Sequence, residues 1–327
     1  MTAASTVAAT SPLELNFVGD EIEIASNGVI YFLHNKMNRV HRWDITKQTF
    51  LSDLVGTANT NTMSVAPDGT VVYLAYSGGR IDIFDVSNNT RRFFAAAPAE
   101  INALVVVDSY LFCIDNSGAW STHSLYSRAT GMRVASDDWR HTGRSFAWAP
   151  RMGRLFFLRS SGSPTDIHYV DIDTVAGTLG PEKDSPYHGD FSLPSPIRVL
   201  LDESRVIVGS GLLFNTVDLK YIASFGLNFM EIVSYGGHYF LVNKAAATTE
   251  MNILDSGFNI LGTRSLDGAP HAAFVRGHDL VLVTDGSSSG STRVHVLPLA
   301  GIVANTTKTT SNECLKCVVD ACKGAKH

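Results

Sequence analysis

The chain has 327 residues, of which 45% are apolar and only 17% charged. That balance supports a large buried core and excludes a disordered chain. A net charge of −5 excludes a general affinity for phosphate backbones, so no nucleic-acid partner is expected, and the lack of any long apolar run excludes a membrane-spanning helix. Met1 to Pro12 carries neither the basic segment nor the apolar stretch of an intact leader. The compartment is therefore left open, with the cell surface or exterior favoured if a leader has been removed.

Leu13 to Val18 alternates apolar and polar residues, as a strand with one buried face does. A first unit follows. Ile22 to Ala25, Val29 to His34, Arg39 to Ile45 and Thr49 to Leu54 read as strands a to d, with Ser26-Asn27-Gly28 turning a into b. The second unit repeats the pattern more sharply. Met63 to Ala66 leads through Pro67-Asp68-Gly69 into Thr70 to Ala75, and Arg80 to Val86 then alternates before Ser87 to Thr90 turns the chain into Arg91 to Ala95. Later units carry apolar b strands at Tyr110 to Ile114, Arg154 to Leu158, Arg205 to Val208, His238 to Val242 and Asp279 to Thr284. The a strands begin at positions 22, 63, 101, 146, 197, 232 and 272, in steps of 35 to 51 residues, and Gly180 to Pro196 is an insertion in the longest step.

Repeats of this size with several strands each predict an all-β fold, a seven-bladed β-propeller over residues 13–302. The last unit offers only three strands, so the Leu13 to Val18 segment is expected to supply its outer strand and close the ring. Residues 303–327 are expected to form a Thr-rich linker and a Cys-rich tail. In that tail Leu315, Val318, Val319 and Cys322 fall on one face of a short helix.

Val65-Ala66-Pro67-Asp68-Gly69-Thr70-Val71-Val72-Tyr73-Leu74, together with Ile83-Phe84-Asp85-Val86, resembles the blade core of YVTN-type and quinoprotein-like seven-bladed propellers. The resemblance is sharp in this one blade and loose in the others. It implies a propeller whose members are mostly binding or surface proteins, with some dehydrogenase subunits and lactonases among them.

Loops carried on a rigid frame are where binding usually resides. The ends of the b strands and the entries to the a strands nominate a channel-mouth ligand site: Glu21, Asn35, Asn61, Tyr76, Glu100, Asp115, Arg144, Arg159, Glu231, Asn243, His271 and Asp285. In the insertion, Tyr187, His188 and Asp190 combine aromatic and polar groups suited to sugar or protein recognition. The recurrent acids at the ends of the c strands, Asp44, Asp85, Asp171, Asp218 and Asp255, read as turn caps. Cys113 reads as a core residue, whereas Cys314, Cys317, Cys322 and His327 have donor types able to hold Zn²⁺. A docking helix, inter-chain disulfides and the start of a truncated further domain are the other readings of that tail.

No catalytic residue is assigned and no cofactor follows, beyond Ca²⁺ at axial carboxylates or Zn²⁺ at the tail. The leading expectation is a non-enzymatic recognition or scaffold module for a protein, peptide or glycan. A metal-dependent, lactonase-like hydrolase and a structural module of a surface assembly are the alternatives.

Overall fold

The computed structural model describes residues 13–303. The chain divides into two compact units, one spanning Gly19–Asn228 and the other taking its described residues from 13–18 and 229–303. The fold is all-β, of the seven-bladed β-propeller class, and every blade is an antiparallel sheet. Among the described residues, no helix is long and apolar enough to cross a membrane.

The larger unit holds five blades. Blade 1 is built from Glu21–Ile24, Val29–His34, Arg39–Asp44 and Thr49–Val55, and blade 2 from Thr60–Val65, Val71–Tyr76, Arg80–Asp85 and Thr90–Ala96. Blade 3 comprises Ile101–Val107, Tyr110–Asp115, Ser121–Ser127 and Arg133–Arg140. Blade 4 has Gly143–Ala149, Arg154–Arg159 and Ile167–Asp173, followed by an outer strand broken into Thr178–Leu179 and Lys183–Asp184. Blade 5 is Ile197–Val199, Arg205–Val208, Leu212–Asn215 and Tyr221–Ser224. In the smaller unit, blade 6 is Glu231–Tyr235, His238–Ala245, Thr248–Leu254 and Ile260–Asp267. Blade 7 is Pro270–Arg276, Asp279–Asp285 and Thr292–Pro298, with Leu13–Leu15 paired antiparallel to the last of these in the register Leu13↔Val294.

The two-residue period of the b strands decides how blades stack. In blade 2, Val72, Leu74 and Tyr76 pack with Tyr31, Leu33 and Met63 toward blade 1, while Tyr73 and Ala75 pack with Leu104, Leu111 and Cys113 toward blade 3. Phe112 and Ile114 then meet Leu155 and Phe157 between blades 3 and 4, and Phe156 and Leu158 meet Val206 and Phe214 between blades 4 and 5. In the smaller unit Phe240, Val242 and Met251 meet Leu280 and Leu282. Each b strand is thus buried on both faces, which is why it reads as an unbroken apolar run. The d strands of the larger unit's blades are mostly exposed, as in Thr49–Val55 and Tyr221–Ser224. Cys113 is buried and free.

An a strand has one edge that pairs with b and one that does not. In blades 2, 3 and 5, side chains of the preceding blade satisfy that second edge. The Met63 and Val65 N–H groups donate to Glu21 and Glu23 at 2.8 and 2.9 Å, Val106 N–H to Ser64 Oγ at 3.1 Å and Ile197 N–H to Ser145 Oγ at 2.8 Å. An unpaired strand edge is a liability, and these contacts convert it into a link between blades. Ser64 is buried, so Ser64→Ala leaves the Val106 N–H without a partner. The expected cost is about 1–3 kcal/mol in urea unfolding with an unchanged m-value.

Most caps at the c-to-d turns sit where the alternation puts them. Asp44 accepts from the Thr46 and Lys47 N–H groups, Asp85 from Ser87 and Asn88, and Asp255 from Gly257 and Asn259. Blades 4 and 5 differ. There the caps are Asp173, on Val175 and Ala176, and Asn215, on Val217 and Asp218, because each turn lies displaced from the position expected from the aspartate spacing. Asp171 instead binds Arg154 at 2.7 Å, and Asp218 binds Lys220 at 2.8 Å. In the smaller unit, Glu14 accepts from the hydroxyls of Ser287 and Ser291, which hold its carboxyl down at about 2 and tie Leu13–Leu15 to the loop before Thr292.

Candidate functional site

The loops between b and c and those between d and a emerge on one side of the larger unit's blades. At blades 3 and 4 they enclose a cavity of about 250 Å³ lined by Trp120, His141, Thr142, Arg159, Ser161 and Gly162. Trp120 comes from the b-to-c loop of blade 3, and His141 and Thr142 from the link into blade 4. Arg159, Ser161 and Gly162 come from the end of that blade's b strand and the loop beyond it. Trp120 and Trp139 are 57% and 59% exposed, and their rings meet edge-on at 5.9 Å. Trp139 holds a φ of 60°, a left-handed angle that is strained for a bulky residue and recurs at ligand-contacting positions. The ring of His141 lies 5.2 Å from that of Trp120.

Arg159 is folded along its own loop by donating from Nε to the Ser161 carbonyl at 2.6 Å. Gly162 makes this possible. Its φ is +77°, and a Cβ there would stand 2.5 Å from an Arg159 guanidinium nitrogen.

Behind the cavity wall, two imidazoles converge on one carboxylate. Glu182 Oε1 lies 2.8 Å from His141 Nδ1 and 2.6 Å from His168 Nδ1, while its Oε2 accepts from the His141 N–H at 3.1 Å. Glu182 faces inward because the outer strand of blade 4 is interrupted at Gly180-Pro181-Glu182. Proline has no N–H for the ladder, so the chain leaves the sheet there. Burial alone would raise the Glu182 carboxyl. Contact with His168, the His141 N–H, and the His123 and His141 rings outweighs burial and brings it to about 2, so it is ionised. His123 is pushed down by burial. Its Nε2 lies 2.9 Å from the His141 carbonyl, which can only accept, so that nitrogen carries the proton. His168 is 2% exposed, its ring stacks on Phe157 at 5.7 Å, and neither of its ring nitrogens makes a hydrogen bond of good geometry.

A second group joins Asp184 and His188 of the insertion to Asp166. His188 Nδ1 is 3.6 Å from an oxygen of each acid. Asp166 accepts from Ser185 Oγ and from the Ile167 N–H.

The residues nominated from the sequence are distributed as follows. In the larger unit, Arg159 lines the cavity, and Arg144 donates to its carbonyl at 3.1 Å. Asn35 and Asn61 meet each other at 3.3 Å, and Asn61 also reaches the Ile101 carbonyl. Glu21 is engaged by the Met63 N–H, with burial raising its carboxyl above the usual range. The Tyr76 hydroxyl donates to the buried Asp82 at 3.0 Å, and Asp115 is buried and caps Ser117. Glu100 is exposed, its carbonyl accepting from Asn116. Tyr187 packs on Phe191 and Phe214, and its hydroxyl accepts from the Tyr221 N–H at 2.9 Å. Asp190 closes the turn back to Tyr187, and His188 is largely exposed.

In the smaller unit, His271 and Asp285 come together at 2.6 Å, Glu231 accepts from the Ile232 N–H, and Asn243 stands opposite Glu250. Cys314, Cys317, Cys322 and His327 lie outside the described residues. The sequence reading passed over Trp120, Thr142, Ser161, His168 and Glu182. A histidine inside the otherwise apolar run Ile167-His168-Tyr169 and the Gly180-Pro181 break were the signals available for the last two.

Fold and cavity together define a β-propeller with a loop-borne polar and aromatic pocket. No known family model matches the chain, and no curated protein matches it.

Proposed function

We propose that the chain is a recognition module of the β-propeller class and that it takes a sugar ring at the cavity between blades 3 and 4. The observation that carries this reading is the pair of exposed indoles, Trp120 and Trp139, beside a cavity walled by Thr142, Arg159 and Ser161. An exposed indole offers an apolar platform to the C–H face of a sugar, while hydroxyl and guanidinium groups bind its edge. A volume of about 250 Å³ suits a single ring better than a large cofactor. The run Val65 to Leu74 supports a place in the YVTN-type superfamily, whose members are mostly binding proteins.

Arrays of glycans and peptides probed with the full chain test this reading. Capture of a glycan class is expected. Trp120→Ala and Arg159→Ala should each weaken it roughly tenfold or more, with the unfolding midpoint of the exposed-site variant Trp120→Ala unchanged. Binding indifferent to both substitutions, or capture of peptides alone, refutes it.

A further inference from the structure

We propose that His141, His168 and Glu182 form a site for one divalent transition-metal ion of the zinc class, with its open coordination position toward the Trp120–Arg159 cavity. The three residues come from separate parts of the chain: the link into blade 4, that blade's c strand and the break in its outer strand. Their donor atoms nevertheless all lie within 4.8 Å of one another. Two imidazoles and one carboxylate match the donor preference of zinc-class ions, whereas Mg²⁺ and Ca²⁺ favour oxygen alone.

An independent observation is His168 itself. It is 2% exposed, its Nδ1 is aimed at Glu182 Oε1 from 2.6 Å, and that nitrogen makes no hydrogen bond of good geometry. A buried imidazole without hydrogen bonds forfeits solvation that a metal bond restores.

Contacts around the trio resemble those that orient metal ligands. The His141 N–H donates to Glu182, His123 donates to the His141 carbonyl, and Phe157 stacks on His168 at 29°. Metal bonds of about 2.0–2.1 Å in a tetrahedron place ligand atoms roughly 3.3 Å apart. The present separations of 2.8 and 2.6 Å therefore have to widen by roughly 0.5 and 0.7 Å. Three protein ligands leave a fourth position for water or an incoming oxygen. Of the trio, His141 lines the cavity and Arg159 stands in the same wall, which suits an anionic or hydroxyl-bearing ligand there.

Cobalt(II), with its visible spectrum, is the probe, titrated into metal-stripped full-length chain with no glycan present. This keeps a failure here distinct from a failure of the sugar reading. The expected result is one ion per chain bound by nitrogen and oxygen, without the near-ultraviolet thiolate charge-transfer band that the tail cysteines would produce. His141→Ala and Glu182→Gln should lower affinity by at least about tenfold, circular dichroism showing both folded. Unchanged affinity in both variants, binding seen only with the thiolate band, or no binding overturns the proposal. Should either variant fail to fold, the wild-type chain decides: cobalt must quench tryptophan emission, and Trp120→Phe must remove most of that quenching. An unquenched wild type also overturns the proposal.

Discussion

Glu23→Gln raises the unfolding midpoint of the protein at pH 8 and above and leaves it unchanged near pH 4. Glu23 is half-buried, and its carboxyl accepts from the Val65 N–H at 2.9 Å. Burial, followed by the opposing Val65 hydrogen bond and the nearby Glu21 charge, leaves its carboxyl at about 8 instead of 4.5. Between those two values the folded chain holds a proton that the unfolded chain has released. Stability is therefore fully present below 4.5 and is lost as the pH rises through 8. The size of the loss is on the order of 5 kcal/mol. Glutamine keeps an oxygen for the Val65 N–H and carries no charge, so the part of the fall that Glu23 causes should be missing from the variant. Midpoints measured by calorimetry from pH 4 to 9 should diverge with rising pH. Parallel curves contradict the assignment.

Phe157→Ala destabilises the larger unit by about 3–5 kcal/mol and loosens the cavity wall as well. Phe157 is fully buried between blades 3 and 4, where its ring meets Phe146 at 5.8 Å, His123 at 5.7 Å and His168 at 5.7 Å. The alanine leaves a void among groups held by the rest of two sheets, which cannot close over it. Urea unfolding measures the loss. Phe157→Leu, which restores most of the volume, should recover more than half of it. A cost below about 1 kcal/mol for the alanine variant contradicts the packing described here.

The blades were legible because burial on both faces leaves a plain trace. Val71 to Tyr76 and Tyr110 to Asp115 are apolar nearly throughout, and Pro67-Asp68-Gly69 marks a turn. The cavity was not legible in the same way. Arg159 could be placed at the end of a b strand by counting, and Trp139-Arg140-His141 reads as an aromatic and polar loop suited to recognition, but Trp120 and Glu182 belong to connections whose paths no local pattern reveals. Glu182 lies in a stretch that reads as a surface insertion, and it turns inward only because the Gly180-Pro181 break opens the outer strand beside His141 and His168. Tyr187 shows the same difficulty in reverse. An aromatic residue in a loop reads as a contact for a partner, yet here its ring fills space between Phe191 and Phe214. The displaced caps Asp173 and Asn215 show that even a regular repeat fixes a turn only to within a few residues.

Crystals of the full-length protein soaked with a glycan captured on the array give the most direct test of the site. Sugar density stacked against Trp120, with a hydroxyl within hydrogen-bond distance of Arg159, is the predicted result. A well-ordered sugar bound at other loops, with the cavity between blades 3 and 4 left to solvent, would contradict the account.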